Sequence, residues 1–304
     1  KPLSPGIYRT LLNKYYAAVK SVDRSNKVLS AGLAPNGNKS AVAPLDFARR
    51  LFCMKGRAKP KPTGANCTVK LDIFDMHPYT SGGPTHKAQG ADNIQLAQLG
   101  NLKKLLTAAD KAGRIKGDSR RTPLWVTEMS WDSRGPDPGG VPMNILKRWT
   151  SEAAFRAWKV GVDHFFWYSL RDQDPKGMPW SQTAQSGLFF RGNTIENDRA
   201  KPIRQAFRFP FVAFTRNKGL KKGMTVWGRT AASKGGWVAI ERKQGGRWAR
   251  LGRVRANGNG VFHKFVRIRK GSNRRGTIRA TFRKESSVPF SLKPVKDRPA
   301  RPFG

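Results

Sequence analysis

LWVTEMSW, residues 124–131, is an apolar run that ends on a carboxylate, and its reading decides the fold expected for the larger part of the chain. Its apolar and aromatic residues suit a strand. On either side lie residues 94–112 and 144–160, whose apolar positions recur at helical spacing. The alternation continues outward. Upstream, residues 5–22 place Ile7, Leu11, Leu12, Tyr15, Ala18 and Val19 at helical spacing after Ser4-Pro5, which suits a helix start. KVLSAGL (27–33) reads as a strand, 44–54 as a helix and LDIFDMHPY (71–79) as a strand; downstream, 162–170 reads as a strand and 202–207 as a short helix. Such repetition predicts an α/β domain with a parallel sheet and helical crossovers, doubly wound or closed as a barrel.

Beyond Phe211 the texture changes to short β-rich segments at 224–229, 237–242, 248–255, 261–268, 277–282 and 288–292. Turn signals separate them, notably Gly245-Gly246 and Asn257-Gly258-Asn259-Gly260. This pattern predicts a small all-β, immunoglobulin-like sandwich. The basic, proline-rich end is expected to fray.

Lysine and arginine number 59 against 19 acidic residues, a net charge of +40, so an anionic polymer or cell surface is a candidate partner. The residues after Phe211 carry 25 of the basic and 3 of the acidic side chains. No apolar run is long enough to cross a bilayer. The two cysteines, Cys53 and Cys67, flank a Lys/Pro/Gly-rich loop. They read either as a local disulfide of an exported protein or as two free thiols. Neither has the partners of a zinc site. No G-x-G-x-x-G follows the first strand, and no helix-turn-helix, zinc-finger or RRM signature occurs. Neither a metal, a cofactor nor a specific nucleic acid is therefore expected.

Parallel α/β sheets carry their chemistry at the C-terminal ends of the strands. Three such ends are rich in polar and aromatic residues: Asp75-Met76-His77-Pro78-Tyr79, Thr127-Glu128-Met129-Ser130-Trp131, and Phe166-Trp167-Tyr168 running on to Asp172. Strand alternation puts Val126 and Glu128 on one face. Asp72 begins its strand, away from that end, and Asp75 has no clear role by parity. For His77, Trp131 and Trp167 the alternative to a site role is simple packing.

The order H-x-Y, then an apolar strand ending in Glu, then a Trp-bearing strand resembles clan A glycoside hydrolases, most closely family 39 and family 5-like actinobacterial enzymes. The resemblance covers residues 1 to about 208. It implies the C-terminal portion, about four βα units, of a (β/α)8 TIM barrel. It further implies that Glu128 is the nucleophile of a retaining β-glycosidase, acting on a β-linked oligo- or polysaccharide. Tyr79 would hydrogen-bond Glu128 and help keep it ionised. His77 would sit beside the acid/base or a sugar hydroxyl, Trp167 would form a stacking floor, and Trp131 would add an aromatic wall.

The sequence departs from the family at its front. Retaining hydrolysis needs a second carboxyl about 5–5.5 Å from the nucleophile. In this clan that group follows an Asn, and residues 1–22 contain no Asn-Glu pair. The acid/base is expected to be missing with strands one to four, so the chain is expected to be a truncated enzyme that turns over poorly. The expected organisation is a partial catalytic barrel over 1–210, a sandwich over 211–293 and a basic tail over 294–304. The expected location is secreted or cell-surface, with a signal peptide upstream of residue 1. The alternative function is a non-catalytic binder of anionic glycan or cell-wall polymer through the basic sandwich, using Trp227, Trp237 and Trp248, although strand-spaced tryptophans also suit a core.

Overall fold

In the computed structural model, residues 2–65, 67–215, 223–266 and 276–300 are described. The chain divides into two compact units: Lys1–Ser130 with Arg156–Tyr168, and Trp131–Phe155 with Ser169–Gly304. Helices form at Ser4–Val22 (α1), Pro44–Leu51 (α2), Leu99–Lys111 (α3), Met143–Val160 (α4) and Pro202–Arg208 (α5), close to where apolar periodicity places them. In α3 the buried residues Leu99, Leu102, Leu105, Leu106 and Ala109 line one face. In α1 only Pro5 and Leu12 are buried, whereas Ile7, Leu11 and Tyr15 point to solvent. Among the described residues no helix is long and apolar enough to cross a membrane.

The expected part-barrel does not form. The parallel pairings are confined to short pieces: Phe74–Asp75 (β1), Leu124–Val126 (β2) and His164–Phe165 (β3) in one three-stranded sheet. Val69–Lys70 pairs with Ile115–Lys116 in a separate sheet. The expected strand at 27–33 contributes only isolated bridges, Leu29 to Ile73 and Leu33 to Met76. Among the described residues, helices and strands do not build an ordered βα series, and the sheets are small and not closed.

Side chains account for much of the shortfall, because they take backbone donors that a longer ladder would use. The N–H of Val28 donates to Asp72 Oδ2 at 2.9 Å and that of Leu124 to Asp163 Oδ2 at 3.0 Å. The N–H of Asp75 goes to Ser30 Oγ at 2.9 Å, and that of Thr127 to Asp75 Oδ1 at 3.2 Å. Apolar runs predict where a strand begins; these carboxylates and this hydroxyl decide how soon it stops.

Within the first unit, Arg9 on α1 donates to the carbonyls of Arg50 (3.2 Å) and Leu51 (3.0 Å), at the C-terminal end of α2. A cation there meets the negative end of the helix dipole. Just beyond, Cys53 and Cys67 form a disulfide with Cα atoms 6.3 Å apart. It closes a loop whose ends are 14 residues apart, which stabilises by about 3 kcal/mol in the chain-entropy picture. Inside that loop Met54–Lys55 pairs antiparallel with Lys61–Pro62.

From Phe211 onward, the described residues of the second unit build two antiparallel sheets. One joins Phe211–Thr215 (β4), Met224–Arg229 (β5) and Val261–Val266 (β8). The other joins Arg247–Ala256 (β7), Gly236–Gln244 (β6) and Thr277–Phe282 (β9), with Glu285–Ser286 and Phe290–Ser291 both pairing with β9. Residues 267 and 268 of the expected segment 261–268 lie outside the described residues. Phe211, Val226, Ile240, Val254, Phe262 and Ile278 belong to one shared core. Alternate residues of β9 are buried, as expected for a strand with one face inward. β6 and β7 are joined by Gly245-Gly246 with φ of 50° and 84°. Two consecutive positive φ values define the tight hairpin turn that glycine adopts without strain.

The same unit holds a sealed ionic cluster. Lys201 Nζ lies 2.5 Å from Asp172 Oδ1, 2.8 Å from Ser133 Oγ and 2.9 Å from the carbonyl of Gln185. Asp132 Oδ1 accepts the N–H of Gln185 at 2.8 Å. Asp132, Asp172 and Lys201 are each 1% exposed. Burial pushes the Asp132 carboxyl up to about 7, with the charges of Asp137 and Asp172 adding to it and Lys201 opposing. Burial likewise raises Asp172 against the pull of Lys201, and lowers Lys201 against the pull of Asp172. Asp132 Oδ2, Asp172 Oδ2 and Gln185 Oε1 are buried without a hydrogen-bond partner.

Candidate functional site

The ladder of β2 ends at Val126, which is fully buried, and the next two residues turn their side chains to a polar cluster. Glu128 emerges there with its side chain 35% exposed. The strand alternation that placed it beside Val126 therefore does not apply past the ladder. Two groups from the end of β1 meet its carboxylate. Tyr79 donates its phenolic O–H to Glu128 Oε2 at 3.1 Å, and His77 Nδ1 lies 3.4 Å from the same oxygen.

The electrostatics agree with that geometry. Burial raises the Tyr79 phenol far above its usual range, and the charge of Glu128 and their hydrogen bond raise it further, so Tyr79 stays protonated and acts as donor. Burial pulls the His77 imidazole down, but Asp75 and Glu128 on either side outweigh it and raise it overall. The backbone adds a steric condition: a Cβ at Gly32 would run into the His77 ring.

Behind His77 stands a second carboxylate. Asp75, its side chain 6% exposed, accepts the hydroxyl of Thr127 at 2.6 Å and the N–H of Met76 at 2.8 Å, and its Oδ2 is 3.5 Å from His77 Nε2. Burial would raise Asp75; the contacts with His77, Thr127 and Met76 outweigh it and hold the carboxyl below its usual value. Thr127 Oγ1 also hydrogen-bonds His77 Nε2 at 2.9 Å. Asp75 and Thr127 thus belong to the cluster although sequence reading gave them no role. The signal was present in Asp75-Met76-His77, two polar residues two positions apart, but parity on an assumed continuous strand obscured it.

The structure brings together His77, Tyr79 and Glu128. Trp167 is 8% exposed, between Phe166 and Tyr168, which are 44% and 41% exposed. The N–H of Tyr168 donates to the carbonyl of Met129 at 3.3 Å, which ties this half-exposed ring to the segment just after Glu128. Tyr168 is the aromatic side chain that the sequence reading passed over in favour of its neighbour. Trp131 belongs to the second unit, where it is fully buried and packs on Trp149 with ring centroids 5.4 Å apart. Its surroundings are those of a packing residue. Asp72 accepts the Val28 N–H and pairs with Lys20 at 3.0 Å, which gives it a structural task. Among the described residues, no three His, Cys, Asp or Glu side chains are grouped to hold a metal ion.

No protein-family model matches the sequence, and no curated protein matches it. Among solved structures, the chain is similar to a crystal structure of an engineered protein, with 13% identity and a TM-score of 0.33. The match covers 95% of this chain and 58% of that one, so the chain spans under two thirds of that structure's length.

Proposed function

We propose that Glu128 is the nucleophile of a retaining β-glycosidase site, of the kind found in glycoside hydrolase family 39 and family 5-like enzymes. The observation that supports this reading is an accessible carboxylate at the end of an apolar strand, whose Oε2 accepts the Tyr79 hydroxyl at 3.1 Å and has His77 Nδ1 3.4 Å away. With Oε2 so held, Oε1 is the oxygen that attacks. Attack on the anomeric carbon forms a glycosyl ester as the bond to the leaving oxygen breaks and takes its electron pair away; water then cleaves the ester and restores the carboxylate. A natural aglycone needs a proton from a second carboxyl, and the sequence reading assigns no residue to that role. The substrate is a β-linked oligo- or polysaccharide, and Tyr168 supplies an exposed ring on which a sugar can stack.

The decisive experiment removes the need for that acid. A panel of dinitrophenyl fluoroglycosides, whose leaving group departs without protonation, should label the chain once, on the peptide that contains Glu128. Glu128→Gln should take up no label. Absence of labelling with every sugar, or labelling of Glu128→Gln, sinks the reading.

A second reading has one observation in its favour. Trp237 on β6 is 60% exposed, with the guanidinium of Arg253 5.9 Å from its ring, whereas Trp227 is buried in the core. Arg255 stands directly opposite Trp237 in the β6–β7 register. An exposed ring among arginines suits an anionic glycan or cell-wall polymer. Trp237→Ala should elute from a sulfated-glycan column at lower salt than the wild type; identical elution removes the ring from consideration. The disulfide is consistent with an extracellular protein, and secretion or cell-surface display accords with both readings.

A further inference from the structure

The two ring nitrogens of His77 have tasks that can be worked out from proton counting. Thr127 has one hydroxyl proton, and Asp75 Oδ2 takes it at 2.6 Å, because an ionised carboxylate can only accept. Thr127 Oγ1 then has only lone pairs to offer His77 Nε2 at 2.9 Å, so Nε2 must carry a hydrogen. On the other side of the ring, Nδ1 faces Glu128 Oε2 at 3.4 Å. In a neutral ring already protonated at Nε2, Nδ1 would aim a lone pair at that carboxylate. Only the imidazolium turns an N–H of this ring toward Glu128, beside the Tyr79 hydroxyl.

We propose that Asp75 and Thr127 are a positioning pair that locks His77 in its doubly protonated form against Glu128; this deepens the nucleophile reading and rests on it. The groups that face the ring fit the assignment. Asp75 and Glu128 are the charged neighbours, Tyr79 shares the Glu128 oxygen, and Gly32 lies where a side chain would displace the ring. Tyr8 stands behind, its phenol accepting the Ala31 N–H at 2.6 Å and raised by burial, with the Asp75 charge adding to it. A ring held charged from both sides is a poor general base. His77 therefore orients Glu128 rather than shuttling protons during the reaction.

The test is a ring-nitrogen NMR titration of His77, resolved among the four histidines of the chain by comparison with His77→Gln. In the wild type His77 should carry protons on both nitrogens at neutral pH and titrate above the ordinary histidine value of about 6.5. Asp75→Asn should lower that midpoint by about one pH unit or more. Above the midpoint, the neutral ring should be the Nε2–H tautomer in the wild type and in Thr127→Ser. In Thr127→Val, which keeps the shape and loses the hydroxyl, both tautomers should appear. A midpoint unmoved in Asp75→Asn, or a tautomer unmoved in Thr127→Val, overturns the proposal; if Asp75→Asn does not fold, the two Thr127 variants decide alone. Fluoroglycoside labelling of the wild type separates the two ideas. Normal labelling without the NMR changes strikes the positioning pair, whereas the NMR changes without labelling strike the nucleophile.

Discussion

The Glu128 cluster and the Lys201 cluster are built from the same kinds of side chain and treat burial in opposite ways. Around Glu128, donors and carboxylates are matched and one carboxylate remains a third open to water. Around Lys201 everything is sealed, one lysine serves Asp172, and Asp132 Oδ2 and Asp172 Oδ2 stay unpaired. In the open cluster, neighbouring groups outweigh burial and set the direction for His77 and Asp75; in the sealed cluster, burial sets it for Asp132, Asp172 and Lys201. The first is reachable from solvent, whereas the second is placed to govern how the fold responds to pH and substitution.

The sharpest way to break this contrast is Lys201→Met. It leaves the buried Asp172 carboxylate without its cation, and losing one partner of a buried pair costs about 3–5 kcal/mol. Chemical denaturation measures the loss. A change below about 1 kcal/mol would mean that the cluster is neither sealed nor coupled in solution.

Asp132→Asn should act in the opposite direction. Its carboxyl rises on folding from 3.8 to about 7, so the folded state holds the proton more tightly than the unfolded state. Stability from this group is then full below pH ~4, falls as pH rises from ~4 to ~7, and stays low above that. The asparagine keeps an oxygen for the Gln185 N–H and removes the titration. It should stabilise at pH ~8 by at most about 4 kcal/mol and flatten the decline between the two values. Unfolding curves recorded across that range decide the matter; a wild type whose stability does not fall with pH contradicts the account.

Glu128→Gln should have the smallest effect on folding. A side chain a third exposed, with donors that can turn to water or to the amide, should change stability by less than about 1 kcal/mol while abolishing fluoroglycoside labelling. A large destabilisation would place Glu128 with Lys201 as a structural group and erase the distinction between the two clusters.

How legible each region was follows from the range of its interactions. The helices were legible because Leu99, Leu102, Leu105 and Leu106 reveal a face within a single turn or two. The antiparallel strands after Phe211 were legible from alternation and from Gly245-Gly246. Strand length in the parallel part was not, because the carboxylates of Asp72, Asp75 and Asp163 capture N–H groups from residues far along the chain. Glu128, His77 and Tyr79 could be found by their local pattern. The hydrogen bonds through Thr127 could not, since they depend on a loop conformation past the end of a strand. Asp172 entered only as the far end of a polar strand-end segment, and Asp132 and Lys201 gave no sequence signal: three residues, spaced by dozens of positions, become a cluster only by folding.

Gly32 and His77 constrain each other sterically. A methyl group at position 32 would collide with the imidazole ring, so no side chain can enter there while the histidine keeps its place. In any lineage that carries this site, the two positions should be lost together, glycine surviving where histidine survives. A bulky residue at the first position would mark a relative in which this imidazole no longer sits against Glu128.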